Sequence, residues 1–250
     1  MRISQWKRLN LRSLLERLMR GRTFWRRLPE DLGSTTILCS GDARLQHLKP
    51  GEAAFDPELL SLARGWVSED AVIWDVGANI GVFALAAAHR VTRGSVLAIE
   101  PDPWLFGLLA RSVARLEMQS ARALCAAISD EVGVADLAIA QRGRASNFLA
   151  RFDGRSQASG MRQLQSVPVL TLDTLLACLP PPPSPPTHVK IDVEGAEWAV
   201  LQGAPKLLET VRPKLFVEVG AETERLVTDY LAKLDYSIFK RGSNLMANPK

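Results

Sequence analysis

The sequence has little of what disulfide-rich, zinc-binding or membrane-spanning proteins contain. Its three cysteines, Cys39, Cys125 and Cys178, form no Cys-x-x-Cys pair, which argues against a zinc site or a disulfide framework and favours a reducing compartment. No apolar run approaches the roughly 20 residues that cross a bilayer. Charged residues interrupt any apolar stretch near the N-terminus that a signal peptide would need. We therefore expect a cytoplasmic protein.

The charge is unevenly distributed along the chain. Residues 1–27 contain nine Lys or Arg and one acid, a net charge of +8, which leaves −4 for the rest of a chain whose total is +4. Apolar residues recur at helical spacing between these arginines. The segment is either a basic amphipathic helix that lies on the inner membrane surface or a solvated terminal helix that packs loosely on the domain. Because the rest of the chain is mildly acidic, we expect no nucleic-acid partner.

The most informative stretch is a strand, a tight turn and a helix over residues 72–88. The turn contains Gly77 and Gly81, and this geometry presents a nucleotide-like ligand to backbone N–H groups at a helix start. A dinucleotide turn has three glycines, whereas this turn has two and follows Asp75, whose carboxylate would repel a pyrophosphate. S-adenosylmethionine (SAM), which carries an ammonium and a sulfonium but no phosphate, therefore fits better than NAD.

Two segments resemble a known family. Residues 75–81, Asp-Val-Gly-Ala-Asn-Ile-Gly, resemble the first motif of class I SAM-dependent methyltransferases. Residues 188–204 contain Asp-Val-Glu-Gly-Ala-Glu and resemble the signature of FkbM-type methyltransferases, and the segments 171–176 and 216–218 match in the expected order. The family is associated with O-methylation of hydroxyls on sugars and polyketide-like products. The resemblance therefore implies a SAM-dependent O-methyltransferase that acts on a sugar, a glycan or a secondary metabolite.

Strands that alternate with helices predict an α/β fold with a mostly parallel sheet. The resemblance implies a Rossmann-like class I methyltransferase sandwich, in which a mostly parallel seven-stranded sheet has an antiparallel last strand. We divide the chain into a basic amphipathic segment at 1–30, a small hairpin extension at 31–54 and a SAM-binding methyltransferase domain at 55–250. The hairpin is predicted around residues 40–42, and residues 141–165 are predicted to form a mobile loop near the substrate.

The predicted cofactor residues lie at the ends of the first two strands and in the turn between them. Asp75 is assigned to the ammonium of SAM, and Glu100, at the tip of the second strand, to the ribose hydroxyls. By resemblance, the end of the third strand passes the adenine. The full predicted set is Asp75, Gly77, Ala78, Asn79, Gly81, Glu100, Pro101, Asp102 and Ala127.

Methyl transfer to a hydroxyl needs aligned reactants and a group that takes up the proton. Because sites in parallel sheets lie at the carboxyl ends of strands, we assign this role to Asp192 or Glu194, with Glu218 as a further candidate across the mouth. Glu194 could instead cap the following helix. The acids could also hold a divalent cation, but nothing fixes a metal geometry, so no metal ligand is assigned. Lys190, inside the same strand, either points away from the core or pairs with an acid.

Two other functions stay open at this point. One is a methyltransferase that acts on RNA or protein, and the other is a SAM-fold module that binds a partner without catalysis. The mildly acidic body argues against the first where the substrate is RNA, and the retained acids and glycines argue against the second. The sequence leaves open whether the acceptor is a small molecule or a glycan, and it leaves the oligomeric state open as well.

Overall fold

The computed structural model describes residues 14–116, 120–141, 143–151, 160–179 and 185–250. Within them the strands are β1 Phe24–Arg27, β2 Thr36–Cys39, β3 Val72–Val76, β4 Ser95–Ile99, β5 Ala121–Leu124, β6 Ala127–Ile128, β7 Gly133–Ala140, β8 Phe148–Leu149, β9 Met161–Leu170, β10 His188–Ile191, β11 Lys214–Glu218, β12 Tyr236–Arg241 and β13 Asn244–Pro249. The α-helices are α1 Pro57–Trp66, α2 Val82–Arg90, α3 Pro103–Val113, α4 Leu172–Cys178, α5 Glu197–Gln202 and α6 Glu224–Lys233.

The central sheet has seven strands in the order β12-β13-β11-β10-β3-β4-β5. The pairs β11/β10, β10/β3, β3/β4 and β4/β5 are parallel, whereas β13 runs antiparallel to both β11 and β12. The predicted mostly parallel sheet with an antiparallel last strand is therefore confirmed. The parallel order brings the carboxyl ends of β3, β4, β10 and β11 to one edge of the sheet.

Local sequence signals explain where the helices that flank this edge begin. The Oδ1 atom of Asp56 accepts a hydrogen bond from the backbone N–H of Glu58, and Pro57 follows as the first helical residue of α1. Asp102 caps α3 in the same way, ahead of Pro103. An acid followed by proline satisfies a free N–H group and presets the backbone for a helix.

Two apolar layers enclose the central sheet. Helices α1, α2 and α3 pack on the face that holds Ile73 and Phe216, and α4, α5 and α6 cover the face that holds Trp74. Because successive residues of a strand point to opposite faces, Asp75 shares the face of Ile73. By the same alternation, Lys190 shares that face, because Val189 and Ile191 belong to the opposite layer.

The predicted hairpin around residues 40–42 is wrong. Strand β2 pairs antiparallel with β1, so the connecting turn lies between residues 27 and 36, where Gly33 adopts a φ of +84°. Residues 45–48 form a 3-10 turn and not a second strand. The Ser-Gly-Asp sequence suggests an exposed turn, but Asp42 is buried because it pairs with two arginines from distant parts of the chain.

The predicted mobile loop at 141–165 is also wrong in part. Residues 161–165 belong to strand β9 of a second sheet, whose strand order is β6-β9-β7-β8. Strand β9 pairs with β7 along most of its length. The polar residues of β9 lack a strong local pattern because one face of this sheet is exposed, and its pairing partner lies about 30 residues away. Residues 152–159, also within the predicted loop, lie outside the described residues.

In the part of the chain that the structure describes, no helix has the length and apolar character needed to cross a membrane. Residues 14–18 are helical. Residues 1–13 lie outside the described residues, so the predicted contact of residues 1–27 with a membrane surface stays a prediction, as do the three-part division of the chain and its location.

Candidate functional site

A cavity of about 570 Å³ lies over the carboxyl ends of β3, β4, β10 and β11, and this volume is within the usual range for small-molecule sites. Its wall includes most of the predicted cofactor residues and all three candidate catalytic acids. These residues are Asp75, Gly77, Ala78, Asn79, Glu100, Pro101, Ala127, Asp192, Glu194 and Glu218. Residues 43–45 and 143–149, together with Glu16 of the N-terminal helical segment, complete the wall from the other side.

The backbone conformation and the packing of the turn both require glycine at positions 77 and 81. Gly77 has a φ of +79°, and a Cβ added there would lie 1.8 Å from the carbonyl oxygen of Asp192. Gly81 has a φ of +93°, and its Cβ would lie 2.5 Å from Leu109 Cδ1. Gly81 does not line the cavity, so it contributes to the site only by allowing the turn to form. Because Gly77 has no side chain, the turn packs directly against the end of β10 at the cavity.

Glu100 connects the turn after β3 to the end of β4. Its Oε2 accepts a hydrogen bond from the N–H of Asn79 at 2.8 Å, and its Oε1 accepts one from the N–H of Asp102 at 2.9 Å. Asn79 has a φ of +53°, a conformation that asparagine tolerates better than most residues. Burial raises the pKa of Glu100 to about 8, despite these two N–H donors.

Asp102 lies behind the cavity wall, where its side chain is fully buried. Its Oδ1 caps α3, and its Oδ2 accepts hydrogen bonds from Arg144 Nη1 at 2.5 Å and Asn147 Nδ2 at 2.7 Å. The structure therefore gives this predicted cofactor residue a different role. It anchors the 143–147 turn that forms part of the cavity wall.

Asp75 is fully buried, and its Oδ1 lies 3.1 Å from Lys190 Nζ. Its Oδ2 has no hydrogen-bond partner among the described residues. Burial raises the pKa of Asp75, and the Lys190 ammonium opposes that rise. Asp75 and Glu100, the two acids assigned to opposite ends of the cofactor, line the same cavity.

Asp192 and Glu218 form a carboxyl pair at the ends of β10 and β11. A hydrogen bond to Asp192, together with burial and the negative charges of Asp192, Glu194 and Glu197, raises the pKa of Glu218 to about 8. Burial opposes ionisation of Asp192, but Lys190 and the hydrogen bond from Glu218 lower the pKa of Asp192 below its ordinary value. At neutral pH the pair therefore holds one proton, on Glu218, and Asp192 is the anion.

Glu194 and Glu197 differ in position. Glu194 lines the cavity and adopts a φ of +53°. Glu197 is buried at the start of α5, where its Oε1 accepts a hydrogen bond from the N–H of Gly195 at 2.9 Å. Glu197 therefore supports the turn before α5, whereas Glu194 lines the cavity.

Two residues of the site were not assigned from the sequence: the role of Lys190 was left open, and Arg144 was missed. Lys190 pairs with two acids, Asp75 and Asp192. The pairing of Lys190 could have been predicted from the sequence, because a lysine inside a buried strand needs a charged partner. The role of Arg144 could not be predicted from neighbouring residues, because its partners Asp42 and Asp102 lie about 100 and 40 residues away in the chain. Within the described residues, no group of three or more His, Cys, Asp or Glu is arranged to hold a metal ion.

Comparison with known proteins decides the family. The family profile described as the methyltransferase FkbM domain matches residues 75–238. The chain belongs to the FkbM methyltransferase family. It is therefore a methyltransferase, and the resemblance stated for residues 75–81 and 188–204 is confirmed.

Other relatives of this FkbM methyltransferase agree. Hexuronic acid methyltransferase AglP from Haloferax volcanii is 30% identical over 192 residues, which are 74% of this chain and 72% of that protein. The solved structure of methyltransferase FkbM from Methylobacillus flagellatus KT is similar with a TM-score of 0.51 at 18% identity, over 72% of this chain and 44% of that one. Trm5b from Pyrococcus abyssi is similar with a TM-score of 0.50 at 9% identity, over 90% of this chain and 54% of that one.

The two solved structures support the class I methyltransferase fold and nothing finer, because their identities are low. The chain spans about half the length of each of these two proteins. The family and the fold imply SAM as the methyl donor. The cavity fits that donor, because a buried carboxylate oxygen of Asp75 without a partner suits a cationic ligand. Asp75 and Glu100 would hold it, with the turn at 77–79 between them.

Proposed function

We propose that this FkbM methyltransferase is a SAM-dependent O-methyltransferase whose acceptor is a hydroxyl of a sugar, a glycan or a secondary metabolite. The observation that carries this proposal is the Asp192–Glu218 carboxyl pair at the cavity wall. A hydroxyl acceptor must lose a proton as the new bond to carbon forms, and an ionised carboxylate beside the reacting atoms can accept it.

When bound, SAM supplies an electrophilic methyl group whose transfer leaves a neutral thioether, so no acid is needed for the leaving group. The protein's own residues bind and orient the acceptor and manage its proton. Asp192 accepts the proton of the acceptor hydroxyl. Glu218, protonated at neutral pH, donates a hydrogen bond to Asp192 and so fixes the direction of its carboxylate. The oxygen that loses the proton becomes the ether oxygen that carries the methyl group.

Polar side chains next to this pair support a hydroxyl-rich acceptor. Asn244 is the cross-strand neighbour of Glu218, and its Nδ2 donates to Glu58 Oε1 at 2.8 Å. Arg44 pairs with Asp56 at 2.9 Å, also at the cavity wall. Carboxylates, amides and guanidinium groups are the partners that sugar hydroxyls use. The name of the relative AglP, a hexuronic acid methyltransferase, supports a sugar acceptor as well.

The first experiment tests donor binding. Calorimetry with SAM and with NAD is carried out on the wild type and on Asp75→Asn. We expect SAM to bind the wild type, Asp75→Asn to weaken that binding, and NAD to show no measurable affinity. Tight binding of NAD without binding of SAM would contradict the proposal.

The second experiment tests the acceptor class. Transfer of labelled methyl from SAM is measured against a panel of neutral sugars, hexuronic acids and polyketide alcohols. Treatment of the product with mild base then separates a methyl ether, which is stable, from a methyl ester, which hydrolyses. We expect an ether, and Asp192→Asn should reduce kcat by a factor of about 10²–10⁴. Asp229→Asn, on the exposed face of α6, is the matched control. A base-labile product would contradict a hydroxyl acceptor, and full activity of Asp192→Asn would contradict the role of Asp192 as the proton acceptor.

A further inference from the structure

Lys190 places a buried positive charge between the cofactor side and the acceptor side of the cavity. Only 2% of its side chain is exposed, and its Nζ lies 3.1 Å from Asp75 Oδ1 and 3.2 Å from Asp192 Oδ2. Strand register explains both contacts. Lys190 is the cross-strand partner of Asp75 on β3, and Asp192 follows it by two residues and so points to the same face.

A buried ammonium is costly unless charged partners surround it. Burial alone would lower the pKa of Lys190, but Asp192 and Asp75 raise it above its ordinary value, so the side chain stays charged. The two acids lie on either side of this ammonium, Asp75 toward the place where a cationic methyl donor would bind and Asp192 toward the proposed acceptor.

We infer that Lys190 is a positioning residue for methyl transfer, which holds the Asp192 carboxylate ionised and in place and ties it to Asp75 on the cofactor side. This inference rests on the proposed function, in which Asp192 accepts the proton of the acceptor. Lys190 itself touches neither the methyl group nor the acceptor in this role. It acts through Asp192.

Several charged groups contribute to the field at Asp192. Besides Lys190 on β10, they are Asp75 on β3, Glu218 on β11 and Arg44 before α1, while Glu194 and Glu197 act on the adjacent Glu218. Arg44 has half of its side chain exposed and is paired with Asp56, so solvent and its partner weaken its effect. Lys190 also has a second acidic partner, Asp75, but its side chain is only 2% exposed and its Nζ lies 3.2 Å from Asp192 Oδ2. Its removal should therefore change the ionisation of Asp192 most.

The test uses Lys190→Met, which removes the charge but keeps a long apolar side chain. Because this change leaves two buried acids without their cation, the double variant Lys190→Met/Asp75→Asn removes one acid together with the cation and protects the fold. Lys233→Met, at an exposed position near the end of α6, is the matched control. Circular dichroism and unfolding curves show which variants are folded.

The first readout needs no SAM. In protein labelled with ¹³C-aspartate, the Asp192 carboxyl signal is assigned by its loss in Asp192→Asn. We expect its lower titration midpoint to rise by about 1–3 pH units in both Lys190 variants and to stay unchanged in Lys233→Met. The second readout is methyl transfer by Lys190→Met at saturating SAM. The pH below which its rate falls should rise by the same amount as the titration midpoint.

A merely structural lysine would lower stability without moving either midpoint. A folded Lys190→Met or double variant in which the Asp192 carboxyl titrates as in the wild type, with an unchanged pH dependence of methyl transfer by Lys190→Met, would therefore overturn the inference. Failure of the wild type to methylate any hydroxyl acceptor is a different result. It would contradict the proposed function, while the carboxyl titration without SAM would still decide whether Lys190 controls Asp192.

Discussion

Arg144 Nη1 donates a hydrogen bond to Asp102 Oδ2 at 2.5 Å, and Arg144 Nε lies 3.3 Å from Asp42 Oδ2. Arg162 pairs with the other oxygen of Asp42 at 2.8 Å. All four side chains are at least 84% buried. These ion pairs connect three parts of the protein. Asp42 precedes the family domain, Arg144 and Arg162 belong to the region of the second sheet, and Asp102 lies at the start of α3. Through them, the segments 43–45 and 143–149 are held over the cavity.

The first prediction concerns this network. Arg144→Met should lower the free energy of unfolding by about 3 kcal/mol, because it leaves the buried Asp102 and Asp42 without a shared cation. SAM affinity should fall as well, because the 143–149 wall loses its anchor. Urea unfolding and calorimetry measure the two effects. Arg93→Met is the control: Arg93 pairs with Glu69 at the surface, where such a pair contributes about 0–1 kcal/mol. Equal losses in the two variants would contradict the prediction.

The second prediction concerns the glycine turn. Gly77→Ala places a Cβ against the Asp192 carbonyl at a positive φ, so the turn or the end of β10 must move. We expect a loss of at least about 2 kcal/mol in unfolding free energy and a fall in kcat, because Asp192 is displaced. Gly107→Ala, within α3 where the added Cβ meets nothing within 4 Å, should instead stabilise the protein by about 0.5–1 kcal/mol. A mild, similar effect of both changes would be evidence against the close packing of the turn on β10.

The third prediction concerns Glu100. Glu100→Gln replaces one of its two acceptor oxygens with an amide N–H₂, which cannot accept from the N–H of Asn79 or Asp102. The turn then loses one support, and the predicted ribose contact loses one of its two acceptor oxygens. We expect the SAM Kd to rise about tenfold, which corresponds to the loss of one hydrogen bond. Calorimetry measures it, with the exposed Glu69→Gln as control. An unchanged Kd would remove Glu100 from the binding site.

The fourth prediction concerns pH. The pKa of Glu218 is raised from 4.5 to about 8 in the folded protein, mainly by its hydrogen bond to Asp192. Between these pH values the folded protein holds a proton that the unfolded chain has released, so the contribution of Glu218 to stability falls as pH rises. Glu218→Gln keeps a hydrogen-bond donor but does not titrate. The stability of the wild type relative to this variant should therefore decline from pH 4.5 to about 8 and level off above it.

Urea unfolding of both proteins across this pH range gives the difference directly. Glu100, whose pKa is also raised to about 8, is present in both proteins, so its contribution cancels. Methyl transfer by the wild type should fall above pH 8, where Glu218 becomes a second anion beside Asp192, and the fall should be absent in Glu218→Gln. A stability difference that does not change with pH would show that the carboxyl pair does not share a proton.

Short-range patterns predicted most of the fold. The Asp-Pro pairs at 56–57 and 102–103 begin helices where expected, because capping is a contact between neighbours. Strands β3, β4 and β11 were predicted because each contains a run of apolar residues, as buried parallel strands do. The predictions of secondary structure were wrong where a strand pairs with a segment that is distant in the sequence. Strand β1 pairs across a turn that was placed elsewhere, and residues 161–165 join a strand through pairing with β7.

The same distinction applies to the site. The amino-acid sequence by itself determined the family, the parallel sheet and the acids at its strand ends, because motif spacing and strand periodicity act over a few residues. Only the tertiary structure decided that Lys190 lies between Asp75 and Asp192, and that Asp102 pairs with Arg144 behind the cavity wall. Such pairings arise because charged groups that are buried together must find partners, and strand register and packing choose which partners are within reach.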